Sequence, residues 1–120
     1  MPKKYILPVR EVDRAVYDLI KSGRKKLETR AGGPRYQHIK KGDTVVLKCG
    51  KDSFEKTVTK VHKFKSVKEM LKRHKPSEID PRFQSAEELI ALYHSFPNYD
   101  ERLKKYGVIA FELKNRPTLR

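Results

Sequence analysis

Residues 44 to 64 constrain the fold more than any other stretch of this chain. Thr44 to Cys49 reads as a strand with Val45, Leu47 and Cys49 on one side, introduced by Gly42-Asp43. Phe54 to Phe64 is a second, longer extended run, rich in Thr and Val. Only the turn residues Gly50-Lys51-Asp52 separate them, so the two strands pair as an antiparallel hairpin. A sheet begun in this way is not the parallel sheet of a doubly wound fold, and the chain shows no regular strand–helix–strand alternation.

The remaining segments fit around that hairpin. Tyr5-Ile6-Leu7 is a short strand closed by Pro8. Val12, Val16, Leu19 and Ile20 share one helical face, which predicts a helix from about Arg10 to Lys21, stopped by Ser22-Gly23 with the glycine left-handed. Lys26 to Arg30 is extended, and Gly32-Gly33-Pro34 is a turn. Ser66 with Glu69 caps a helix carrying Val67, Met70 and Leu71; Ser85 with Glu88 caps another that buries Ala86, Leu89, Ile90 and Tyr93 and ends at Pro97. A short helix from Asp100 to Tyr106 and a final strand from Val108 to Leu113, entered through Gly107, complete the pattern. Five extended segments with inserted and flanking helices define an α+β fold built on a small, mostly antiparallel β-barrel or strongly curved sheet. At 120 residues this is one domain, residues 1–114, followed by a loose basic tail, residues 115–120.

Charge is the second strong signal. The net charge is +14, and it is concentrated. Lys21 to Lys41 holds eight basic residues and one acid, Glu28; Lys60 to Lys75 holds seven basic residues and one acid, Glu69. The rest of the chain is nearly neutral. Clustered, unbalanced positive charge fits a polyanion partner, a nucleic acid above all. The Lys60 to Lys75 run reads as a second contact strip for a phosphate backbone. No window approaches a membrane span, the first 20 residues hold no signal-peptide core, and Cys49 alone builds neither a disulfide framework nor a zinc site. A cytoplasmic location without membrane contact is therefore expected. His38, His62, His74 and His94 are scattered without metal-ligand spacing, so neither metal nor other cofactor is expected.

Within the first basic cluster, Gly23-Arg24-Lys25-Lys26-Leu27-Glu28-Thr29-Arg30 fits G-x-K-x-x-E-x-R without a gap. It follows an amphipathic helix and precedes Ile39-Lys40-Lys41-Gly42-Asp43, with the helix around Met70-Leu71, the Ser85 to Tyr93 helix and the closing Tyr106-Gly107-Val108 strand further on. In this order and over most of the chain, the sequence resembles the ASCH domain family, whose fold is a PUA-like barrel. The resemblance implies an RNA-associated binding cleft between barrel and helices, lined by the octet, with Lys25, Glu28 and Arg30 facing it. The residues support this independently. In an extended segment Glu28 and Arg30 point to one face. The carboxylate can accept from the amino or imino edge of an unpaired or modified base. Arg30 offers a planar fork and Lys25 a point charge for phosphate. Lys26, Arg35, Lys40 and Lys41 attract the backbone, and Tyr36, in its Gly-rich loop beside Arg35, Gln37 and His38, is a candidate stacking platform.

Two enzymatic alternatives come with the resemblance. Some ASCH relatives are amidohydrolases that deacetylate N4-acetylcytidine, using a threonine three residues after the motif lysine as nucleophile. Here that position is Glu28; the Thr29 hydroxyl is one residue off and on the opposite strand face, while Glu78 or Asp80 would be the downstream acid. Others cleave RNA, for which Lys25, Lys26, Tyr36 and His38 are the candidate suppliers of a general base and cationic stabilisation. A third reading is a module that recruits an RNA-processing protein partner. Tyr93, Phe96 and Tyr99 read as packing.

Overall fold

The computed structural model describes residues 2–115; residues 116–120, most of the expected basic tail, lie outside the described residues. One five-stranded sheet runs in the order β1-β3-β4-β5-β2, with β1 Lys4–Pro8, β2 Leu27–Ala31, β3 Thr44–Cys49, β4 Asp52–Phe64 and β5 Val108–Asn115. The hairpin expected at Gly50-Lys51 pairs Cys49 with Asp52, and every neighbouring pair of strands is antiparallel except β1 with β3. The register of β4 against β5 shifts between Val58 and Lys60, an irregularity of the kind that bends a long strand and curls its sheet.

The sheet curls without closing. Its order starts at β1 and ends at β2, so both are edges and the expected barrel is a half-barrel. The physical reason lies on β2, whose outward-facing backbone groups are taken by side chains, as described below.

Helix α1, Arg14–Ser22, fills the concave face. Val16, Tyr17 and Ile20 pack there with Leu7, Val45, Leu47, Cys49, Val58 and the odd-numbered residues Ile109, Phe111 and Leu113 of β5. Even-numbered Val108 and Ala110 face the other way, into a second core formed with Met70, Ile79, Leu89 and Tyr93. That core gathers α2 Val67–Leu71, α3 Pro76–Ile79, α4 Ala86–His94 and α5 Tyr99–Tyr106. Strand β5 is thus buried on both faces, as a central strand between two helical layers must be.

Ser66 and Ser85 cap α2 and α4 by accepting from the backbone N–H of Glu69 and Glu88, and Gly23 ends α1 at φ +84°. Two expected core positions are corrected. Val12 is 80% exposed, because residues 11–13 wind as a tight 3-10 turn before α1 starts and its side chain leaves the α-helical stripe. Ile90 is 39% exposed, since α4 lies against the core only along the line through Leu89 and Tyr93. Helix α3 was not anticipated, although Pro76 at its first turn and Glu78, whose carboxylate accepts from the Lys75 N–H at 3.2 Å, are start signals. Among the described residues no helix is long and apolar enough to cross a membrane.

Gly107 joins α5 to β5 at φ +76°, and a Cβ there would stand 2.3 Å from the Phe64 carbonyl oxygen. Gly107→Ala is expected to cost about 2–4 kcal/mol in urea unfolding, from the unfavourable φ plus the clash. A loss under about 0.5 kcal/mol would contradict this packing.

Candidate ligand pocket

Register decides which way the octet points. Glu28 and Arg30 pair with Phe111 and Ile109, so they face the α1 side of the sheet; Leu27, Thr29 and Ala31 face the second core. Glu28 is buried at 5% exposure, and its carboxylate is met by donors on both oxygens. Its Oε2 accepts from Arg30 Nε at 3.1 Å and Nη2 at 2.9 Å, and its Oε1 accepts from the Thr29 N–H at 3.0 Å. Lys25 Nζ is 3.8 Å from Oε1. Arg30 then reaches across the open side of the sheet, where Nη1 donates to the Pro8 carbonyl of β1 at 2.8 Å. One guanidinium spans the two sheet edges.

Lys25 is buried too, at 4% exposure. Its ammonium donates to the Leu27 carbonyl at 2.6 Å and to the Ile79 carbonyl at the end of α3. The Ala31 N–H donates to the Tyr99 hydroxyl at 2.7 Å. The free edge of β2 is therefore occupied at Leu27, Thr29 and Ala31 by Lys25, Glu28 and Tyr99, which leaves little for another strand to pair with. Thr29, as expected, turns its hydroxyl away from Glu28; it meets the Tyr93 hydroxyl at 2.5 Å.

Along this edge lies a cavity of about 190 Å³, many times the ~10–15 Å³ that one water needs. Lys25, Glu28, Thr29 and Arg30 form one wall and Pro8, Val9 and Arg10 the facing one. Ile79, Leu89 and Leu92 supply an apolar floor, and Tyr93, Phe96 and Tyr99 an aromatic side. These rings pack on one another with centroids 5.0–6.4 Å apart, so the packing expected for them holds while they also line the pocket. Apolar walls with a few converging polar groups are the usual make-up of a small-ligand site.

Of the remaining sequence candidates, Lys26, Lys40 and Lys41 are exposed outside the pocket. Arg35 is exposed, and Tyr36 is buried, its ring centre 5.9 Å from the Arg30 guanidinium and 5.6 Å from that of Arg35. Of the two downstream acids, Asp80 lines the pocket and is held by Arg82 through Nε at 3.0 Å and Nη2 at 2.7 Å; Glu78 is exposed beside His74. Sequence reasoning passed over Arg10 and Arg102 as pocket residues, because only folding brings them to β2.

The pocket shifts its titratable groups by burial and pairing. Burial lowers the Lys25 ammonium, with Glu28 and Asp80 only partly restoring it. Burial also opposes the charge of Arg30, but Glu28, through charge and hydrogen bond, together with Tyr36 and Tyr99 holds the guanidinium above its ordinary value. Asp80 is pushed up by burial and brought below its usual range by Arg82. Tyr93 and Tyr99 are both raised, chiefly by burial.

The ASCH domain model matches residues 12–116, and the chain belongs to the ASCH domain family. Among solved structures it is similar to the hypothetical protein PH0355, at 32% identity over 95% of this chain and 98% of that one, with a TM-score of 0.76. It is also similar to protein PF0455 from Pyrococcus furiosus, at 31% identity over 92% and 96% of the two chains, with a TM-score of 0.70. No curated protein matches.

The tyrosines make a pH prediction. A phenol in the unfolded chain ionises near 10.0, whereas folded Tyr93 keeps its proton above that pH. The folded state then binds more protons than the unfolded state, so stability falls as pH rises through and beyond 10, by up to about 1.4 kcal/mol per pH unit for each such tyrosine. Urea unfolding between pH 9 and 11 is expected to show a shallower fall for Tyr93→Phe than for the native chain. Equal slopes would contradict the burial of this phenol.

Proposed function

We propose that this protein binds RNA, seating one unpaired or modified nucleotide in the pocket at the free edge of β2. The observation that carries this reading is the convergence of Lys25, Glu28 and Arg30 on one concavity with an aromatic side wall. Arg30 has five N–H donors and uses three on Glu28 and Pro8, so two remain for a phosphate or for base acceptors. Glu28 accepts three hydrogen bonds of about four possible, and one position is left for a base amino or imino group. Unpaired bases splayed from a strand are held by just such hydrogen bonds and by stacking on aromatic rings. The exposed Lys26, Arg35, Lys40 and Lys41 supply cations for the backbone outside the pocket, and the ASCH resemblance points to the same ligand class.

A hydrolase of modified nucleosides draws support from the lowered proton affinity of Lys25 in a pocket that also holds the Thr29 hydroxyl. Against it, the Lys25 nitrogen already donates to two backbone carbonyls and the threonine hydroxyl is engaged with Tyr93. Incubation with N4-acetylcytidine separates the readings: the acetyl group is expected to stay on, and cytidine release abolished by Lys25→Ala would favour the hydrolase.

Binding to labelled single-stranded RNA is expected to weaken with a log–log salt slope of about −3.5, the value for five engaged phosphates. Arg30→Ala removes charge-assisted hydrogen bonds and is expected to weaken binding about 10–100-fold. Lys114→Ala, an exposed cation on β5 away from the pocket, is expected to leave it unchanged. Equal effects of the two substitutions would place the site elsewhere.

A further inference from the structure

The turn after β2 opens onto a second, wider cavity, about 470 Å³, between the loop residues Arg35 and Tyr36 and the α5 residues Arg102, Lys105 and Tyr106. Two glycines make the approach possible. A Cβ on Gly32 would stand 2.7 Å from the Tyr106 carbonyl oxygen, and Gly33, at φ +138°, lies against the Tyr106 ring. Tyr106 is nonetheless 43% exposed.

This cavity differs in chemistry from the first. In the first, Lys25 and Arg30 both face the buried carboxylate of Glu28, whereas among the described residues none of the second cavity's Arg35, Arg102 and Lys105 forms an ion pair. Glu101 is the one acid in the lining, so the cations prevail. The two cavities also share a wall. Arg102 lines both, and Arg30 of the first lies over the ring of Tyr36 of the second.

We propose that the second cavity is the groove through which the same strand leaves the pocket. A phosphodiester next to the seated nucleotide rests among Arg35, Arg102 and Lys105, and the following base stacks on Tyr106 as the exposed Lys105 side chain, whose ammonium lies 5.2 Å over that ring, swings to the phosphate. Unpaired cations beside an exposed ring are the combination that holds single strands without reading their sequence. An acidic peptide would use the cations and leave the ring idle. The inference rests on the pocket being the nucleotide site, and adds that the ligand is a strand of at least two nucleotides rather than a free nucleoside.

The test measures free cytidine and uridine, and tetranucleotides of C and of U, against the full chain and against Lys105→Gln and Tyr106→Ala. Both side chains are exposed, and circular dichroism checks that the fold is kept. The tetranucleotides are expected to bind at least about tenfold tighter than the nucleosides. Lys105→Gln is expected to weaken them about three- to tenfold and to reduce the salt slope by about 0.7, one phosphate contact. Tyr106→Ala is expected to weaken them about fivefold or more, and neither variant to change nucleoside binding. Nucleoside binding with no gain from the added nucleotides, tetranucleotide affinity untouched in both variants, or displacement by polyglutamate as readily as by RNA would overturn the groove while leaving the pocket reading in place. Failure of the native chain to bind either ligand would remove both.

Discussion

The Glu28 carboxylate is the constraint on which the site depends. A buried acid is tolerated only when its lone pairs are filled and its charge is matched. Here the filling comes from Arg30 in two bonds, from the Thr29 N–H, and from the nearby Lys25 ammonium. With Glu28 removed, the buried Lys25 and the partly buried Arg30 would be left beside each other without an anion between them. Each of these side chains also satisfies a backbone group: Lys25 at Leu27 and Ile79, Arg30 at Pro8. The charge cluster is therefore a structural staple and a polar pocket wall together.

That arrangement explains why the sheet stops where it does. A strand edge with open N–H and C=O groups recruits another strand. The outward edge of β2 instead carries bonds to Lys25, Glu28 and Tyr99, and Arg30 bridges the gap to β1. The gap in the half-barrel is the pocket. Closing the barrel by pairing β1 with β2 would fill the space in which a ligand is proposed to rest.

Much of this was legible from local sequence, and the limits follow from range. The hairpin, the caps of α2 and α4, and the shared face of Glu28 and Arg30 depend on neighbours a few residues apart, where turn chemistry and strand period decide the outcome. The depth at which Lys25 is buried was not legible, because its carbonyl partner Ile79 belongs to a four-residue helix 54 residues away. Whether the curved sheet closes into a barrel was not legible for the same reason, since closure turns on pairing between distant edges. Val12 matched the helical stripe by spacing, and lost its place only because the first turn is wound more tightly. Tyr93, Phe96 and Tyr99 read as packing, and a ring that packs on one face and borders a cavity on another leaves the same mark in a sequence.

The claim that a nucleotide occupies the gap between β1 and β2 is tested most directly by photo-crosslinking. A single-stranded RNA carrying 4-thiouridine would be bound to the full chain, irradiated, and the attached peptides mapped by mass spectrometry. The account predicts attachment within residues 27–31 or at Tyr93, Phe96 and Tyr99. Crosslinks confined to the basic run from Lys60 to Lys75, with none at the pocket, would contradict it.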